Sequence, residues 1–270
     1  MNNKKPTFYK NDLKFYDKTD DTEIEDDLTK ELYNKFRNKP KIELRIDECI
    51  RENYTYFDLS HMKLDDEIIN NLFKVQNIKQ ILSKIYFLDL SNNKLTKIPE
   101  INKYTNIKCI NISHNNIDGE IINNNWIEIS CENNKITNII SNSVERLVAS
   151  NNKINKINTP NATSIIINDN EITDLDSYNN LEYCEIMGNK LKKINDYENL
   201  TELYISNNYV SELGNLNNIK ILNCVKNKLE KIPYYSTMHA IVSTTPLISK
   251  KYQVENISIM NNDYVISIKI

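Results

Sequence analysis

Glycine occurs only three times in 270 residues, at positions 119, 188 and 214. A phosphate-cradling loop and a dinucleotide-binding fingerprint both need glycines clustered within a few positions, so neither can be built here. Histidine is as scarce: His61, His114 and His239 stand far apart, with no cysteine or carboxylate at metal-ligand spacing. The five cysteines, at 49, 109, 131, 184 and 224, form no C-x-x-C pair, and their odd number fits reduced thiols better than a disulfide framework. No stretch reaches the roughly 18 to 20 apolar residues of a membrane helix. The opening "MNNKKPTFYK" carries positive charge without the apolar run of a secretory signal. With 34 basic and 37 acidic side chains the net charge is −3, which provides no electrostatic attraction for nucleic acid. These absences lead us to expect a soluble intracellular protein that needs no cofactor or metal and has no nucleic-acid, membrane or small-molecule partner.

What the chain has in abundance is asparagine, 45 residues, and isoleucine, 41. Both are read from A+T-rich codons, so part of the excess is expected from base composition. On that view the five N-x-S/T sequons, at Asn53, Asn111, Asn161, Asn199 and Asn256, are by-products of asparagine abundance.

Yet the asparagines are not scattered. "LDLSNNKL" at 88 recurs in altered form as "INISHNNI", "LVASNNKI", "IIINDNEI" and "LYISNNYV". Alignment on the second polar residue of the turn gives Asn93, Asn115, Asn134, Asn152, Asn170, Asn189, Asn208 and Asn227, at intervals of 22, 19, 18, 18, 19, 19 and 19. Apolar residues keep the same register. Five residues before each asparagine the column contains only Leu, Ile and Cys; three before, only Leu, Ile, Cys and Ala; two after, only Leu, Ile and Val. Alternation around the intervening residue marks a short strand with one buried face. A single such turn cannot bury that face, whereas stacked turns share a continuous core.

This pattern, L-x-x-L-x-L-x-x-N-x-L, resembles the leucine-rich-repeat family over residues 54 to about 246. The resemblance implies a right-handed α/β solenoid with a curved parallel sheet on its concave side. Repeats near 19 residues leave room only for extended or 3₁₀ structure on the convex side, as in internalin-like and phosphatase-regulatory members. Ile98, Ile139, Ile157, Leu175, Ile194, Leu213 and Ile232 are expected to face inward on that return. The long 22-residue spacing and the adjoining "DGEIIN" at 118–123 lead us to expect a local bulge there. The ladder asparagines are assigned a structural role, their amides satisfying backbone groups of neighbouring turns.

Open solenoid ends need caps. Residues 1–53 are read as a helical N-terminal cap region, 54–246 as the solenoid and 247–270 as a C-terminal cap with a hairpin. Residues 65–85 are expected to form one helix with an apolar stripe of Ile69, Leu72, Phe73, Ile78 and Ile81. Met62 stands where a first, degenerate unit would have its asparagine.

No Ser-His-Asp or Cys-His arrangement falls at matching positions on adjacent repeats, and we expect no enzyme. Of the thiols only Cys109 is expected to face out of its strand. The concave columns of the later repeats assemble Val148, Ile166, Tyr183, Glu185, Met187, Glu202, Tyr204, Ile221 and Val225, a mixed apolar and acidic patch of the kind that binds a partner protein. A second stripe, Lys94, Lys135, Lys153, Lys190 and Lys228, is expected to be a solvated flank. The resemblance implies a non-catalytic protein-interaction module. Two rival roles are a substrate-recognition or regulatory subunit acting in trans with a ubiquitin ligase or phosphatase, and a self-associating structural protein.

Overall fold

The structure, a computed structural model, describes residues 41–243 together with two strands at 253–260 and 263–269. The acidic segment within 1–40 and residues 244–252 lie outside the described residues. One twelve-stranded sheet organises the molecule. Its first ten strands are β1 (Tyr56–Asp58), β2 (Phe87–Asp89), β3 (Cys109–Asn111), β4 (Glu128–Ser130), β5 (Arg146–Val148), β6 (Ser164–Ile166), β7 (Tyr183–Glu185), β8 (Glu202–Tyr204), β9 (Ile221–Asn223) and β10 (Ala240–Ser243). All pair in parallel with their sequence neighbours and without a register slip. The hairpin of β11 (Gln253–Met260) and β12 (Asp263–Lys269) then adds antiparallel through β12. Pairing aligns Leu88, Ile110, Ile129, Leu147, Ile165, Cys184, Leu203 and Leu222, none more than 1% exposed. The two other repeating apolar columns are equally covered, except that Leu229 is only partly buried.

On the convex side the return is extended, as expected. Asp118–Ile122, Lys135–Ile140 and Lys156–Asn158 make a three-stranded parallel sheet, and Lys193–Ile194 pairs with Glu212–Leu213. The register shifts between Gly119 and Glu120, which places the bulge at "DGEIIN" but in the 19-residue interval between Asn115 and Asn134, so it does not account for the 22 residues between Asn93 and Asn115. Of the inward column, Ile139, Ile157, Leu175, Ile194, Leu213 and Ile232 are buried and Ile98 is partly buried.

The asparagine ladder is a hydrogen-bond device of constant geometry. The Nδ2 of Asn170 donates to the carbonyls of Ile167 and Asn168 in its own turn and of Ala149 in the preceding one, while its Oδ1 accepts from Ile154 N, at 2.9–3.2 Å. Asn115, Asn134, Asn152, Asn189, Asn208 and Asn227 repeat this four-bond pattern. Asn93 reaches back to Leu59 O, Met62 N and Leu64 N, so the unit that lacks an asparagine at Met62 is still tied to its successor. The backbone N–H that follows each ladder asparagine is also engaged: Lys94 N donates to Leu64 O, Lys135 N to Ile117 O and Glu171 N to Ile154 O.

Two further columns emerge that asparagine abundance concealed. The residue before each ladder asparagine is left-handed: Asn92, His114, Asn133, Asn151, Asp169, Gly188, Asn207 and Lys226 all have φ between +52° and +65°. Gly, Asn and Asp adopt this region most cheaply, so the recurrent "NN" is turn chemistry. Nine residues before the ladder runs a second one. There Asn106, Asn125, Asn161, Asn199 and Asn218 donate Nδ2 to a carbonyl of the previous turn at 2.6–2.9 Å, with Ser143 and Thr237 hydroxyls taking the same part. The sequons at Asn161 and Asn199 thus have their amides committed to stacking.

At the N-terminal end, helix α1 (Lys41–Arg51) lies against β1, with Cys49 buried. The single helix expected over 65–85 is two: α2 (Asp66–Leu72), capped by the Asp65 carboxylate on Ile68 N, and α3 (Gln76–Leu82). The reason is angular. At about 100° per residue, one continuous helix would set Ile78 on the face opposite Ile69. The extended Val75, ψ 132°, reorients the chain so that Ile69 and the trio Ile78, Ile81 and Leu82 all reach the core.

These columns set the expected costs of substitution. Asn170→Ala leaves Ile154 N without its acceptor and takes one of two donors from the carbonyls of Ala149, Ile167 and Asn168, and is expected to lower the urea-unfolding free energy by about 2–3 kcal/mol. Lys226→Asn, which relieves a left-handed lysine, should raise it by up to about 1 kcal/mol; a loss of stability would show that the turn does not dictate residue type there.

Candidate functional site: the concave sheet face

The three concave columns follow from strand alternation. The N-terminal end of this face satisfies its own charges. Arg45 of α1 places Nη1 2.7 Å from Asp58 Oδ2, and the Tyr56 hydroxyl donates to Asp89 Oδ2 at 3.4 Å. Asn111 donates to the same Asp89 oxygen at 3.1 Å, and the Tyr56 and Phe87 rings lie 4.9 Å apart. Asp58, Asp89 and Asn111 each also accept from the backbone N–H two residues on, closing the turn out of the strand. Burial pushes the Asp89 carboxyl up, and its bonds to Ser91 and Asn111 pull it back. With Asp58 and Asp89 no more than 9% exposed, this end offers little to a ligand.

Cys109 is a correction to the sequence reading. It sits on the concave column as expected but is only 9% exposed, wedged between Phe87 and Glu128, its register partners on the adjacent strands. Burial, aided by the Glu128 carboxylate, pushes its thiol up to about 12. Burial likewise raises Cys49 and Cys224 to about 11, Cys184 to about 12, and Cys131 still further.

The middle of the face carries Glu128 paired with Arg146 at 3.5 Å, and then Val148 and Ile166 on adjacent strands. Beyond them Tyr183, Glu185, Met187, Glu202, Tyr204 and Ile221 are all partly exposed on the same surface. The Tyr183 and Tyr204 rings approach to 5.8 Å at 45°. Tyr183 donates its hydroxyl to Glu185, and Tyr204 to Glu202 at 3.1 Å. Asn168 fixes Glu185 from the other side, donating Nδ2 to Oε2 at 3.0 Å while accepting from Met187 N. Burial and these carboxylate contacts raise both phenols. Val225 is 6% exposed, so of the residues read as this patch it contributes the least surface.

The lysines at 94, 135, 153, 190 and 228 are exposed along one edge. Part of their charge is answered within the column, Lys190 by Glu171 at 3.2 Å and Lys228 by the Tyr209 ring at 5.1 Å. A polar depression of about 270 Å³ is lined by Glu182, Asn199, Thr201, Asn218, Lys220 and Thr237. The amide or hydroxyl groups of Asn199, Thr201, Asn218 and Thr237 are bonded to carbonyls of the preceding turn, so the depression is a by-product of stacking. His61 and His114 occupy left-handed turn positions. Among the described residues, no three His, Cys, Asp or Glu side chains gather where a metal ion could be held, and no helix is long and apolar enough to cross a membrane.

A parallel solenoid with an asparagine ladder, an extended convex side and a helical N-terminal end defines the leucine-rich-repeat class. Residues 84–103 match the Leucine Rich Repeat family model. The chain carries leucine-rich repeats and folds as a leucine-rich-repeat solenoid. It superposes on the crystal structure of the LRIM1 leucine-rich repeat domain with a TM-score of 0.57 and 19% identity, over 70% of each chain. In a crystal structure of the LRIM1/APL1C complex the match has a TM-score of 0.54 and 19% identity, over 70% of this chain and 46% of that one. YopM from Yersinia enterocolitica WA-314 aligns over 62% of this chain and 42% of its own, at 21% identity and a TM-score of 0.47. No curated protein matches the sequence significantly.

The burial of the thiols has a direct readout. Native protein at pH 8 is expected to react with a thiol-specific chromogenic reagent at fewer than one of its five cysteines over several minutes, and at all five in denaturant. Rapid reaction of Cys109 in the native state would place it outside the packed sheet.

Proposed function

We propose that the protein is a non-catalytic recognition module that docks another protein on the later strands of its concave sheet. The observation that carries this reading is the run of partly exposed Val148, Ile166, Tyr183, Met187, Tyr204 and Ile221 on strands about 4.8 Å apart, which forms one continuous patch beside polar neighbours. The strands hold it rigidly, so binding costs little ordering entropy. One fold relative, LRIM1, has been crystallised in a complex with APL1C, which supports a protein partner for a solenoid of this class. On this reading residues 1–53 and 247–270 cap the two ends and 54–246 present the surface.

Capture from a eukaryotic cell lysate tests it. Val148→Arg/Ile166→Arg replaces two partly exposed side chains and should leave circular dichroism and the urea midpoint unchanged. It is expected to reduce capture of a wild-type partner at least ten-fold. Equal capture by both proteins would remove the concave face from the interaction.

A further inference from the structure

Resting on that docking reading, we infer that the partner presents an arginine-bearing basic segment, whose guanidinium seats on the Tyr183–Tyr204 pair between Glu185 and Glu202. The starting observation is a segregation of charge. The chain as a whole is nearly balanced, with 34 basic and 37 acidic residues. Its concave columns are not: among the described side chains they carry Asp58, Asp89, Glu128, Glu132, Glu185 and Glu202 against one base, Arg146. Among the described residues no lysine stands on these columns.

Most of this acid is answered internally. Asp58 has Arg45, Asp89 has Tyr56 and Asn111, and Glu128 has Arg146. Glu185 and Glu202 differ from Asp58 and Glu128 in that among the described residues no lysine or arginine pairs with either, their donors being the two tyrosine hydroxyls and the Asn168 amide. They differ from the buried Asp89, whose side-chain donors are also neutral, in being partly exposed. Each carboxylate retains unused lone pairs.

The parallel register sets these four side chains in a checkerboard. Tyr183 stands beside Glu202 and Glu185 beside Tyr204 on adjacent strands, while each hydroxyl reaches the carboxylate two residues away on its own strand. Two negative charges are thereby held a strand apart, flanking two π faces in a partly desolvated surface. A cation between them relieves the repulsion and gains from both rings. Arginine fits better than lysine, because its planar fork donates to two carboxylates while its face lies on an aromatic ring; an ammonium is a compact point charge that does one or the other. The apolar run of Val148, Ile166 and Ile221 on either side takes the partner's neighbouring apolar side chains. A nucleic acid or an acidic peptide would be repelled by the same pair.

Fluorescence anisotropy with labelled nona-arginine, nona-lysine and nona-glutamate peptides against the full chain tests this. Nona-arginine is expected to bind more tightly than nona-lysine, and nona-glutamate not to bind. Glu185→Gln/Glu202→Gln keeps the hydroxyl acceptors and is expected to weaken nona-arginine at least ten-fold. The charge-matched control Glu128→Gln/Glu171→Gln should change it less than three-fold. Equal loss in the two double variants, equal affinity for the arginine and lysine peptides, or no binding of nona-arginine by wild type would each overturn the inference. If nona-arginine fails while Val148→Arg/Ile166→Arg still loses the lysate partner, docking stands and the basic partner falls. If that variant retains the partner, docking itself fails.

Discussion

Everything in this structure depends on one side-chain amide placed eight times. A turn between a strand and its return leaves backbone N–H and C=O groups inside the stack with no ladder partner, and each left unpaired would cost about 1–3 kcal/mol. The ladder asparagine offers two donors and two acceptor lone pairs at a fixed point, and it joins consecutive turns as well as closing its own. The left-handed residue before it gives the turn its direction. Given both, the short strands align without slip, and the concave columns become continuous surfaces.

The repeat length has a second consequence. With about 19 residues per turn, the return is too short for a helix and stays extended, so much of its polar backbone is satisfied by neighbouring turns. The second asparagine column, nine residues before the first, meets part of that demand with Asn125, Asn161, Asn199 and Asn218, and Ser143 and Thr237 substitute where asparagine is missing. The chain is thus stitched along two lines on different sides of its core. Where the return bulges at Gly119, the strand beyond it still pairs.

The fold was legible because periodicity in both polar and apolar columns is a signal that composition cannot imitate: eight asparagines coincide with three columns free of charge. The second ladder and the left-handed column were hidden by the same abundance that makes asparagine a weak marker, since "NN" looks like base composition until backbone angles separate the two residues. The split of the expected helix at Val75 was readable in principle from the 180° offset between Ile69 and Ile78, which a list of apolar positions overlooks. For the concave face, alternation placed the columns correctly, including Tyr183, Glu185 and Tyr204. It could not foresee the depth to which a residue on an exposed column sinks between its neighbours, as at Cys109 and Val225, nor which carboxylates find a cation. Those outcomes depend on side-chain reach across strands.

The backbone N–H after each ladder asparagine bears on how the molecule ages. Asparagine decays when that following nitrogen attacks the side-chain amide carbon to close a succinimide ring, a reaction fastest where glycine comes next. Here the nitrogen is already bound to a carbonyl of the previous turn, as Lys94 N is to Leu64 O and Lys153 N to Ile136 O, and the amide is anchored at both its atoms. No asparagine in the chain precedes any of its three glycines. A protein built on the most perishable of the common side chains therefore shelters the copies it depends on from spontaneous chemical decay.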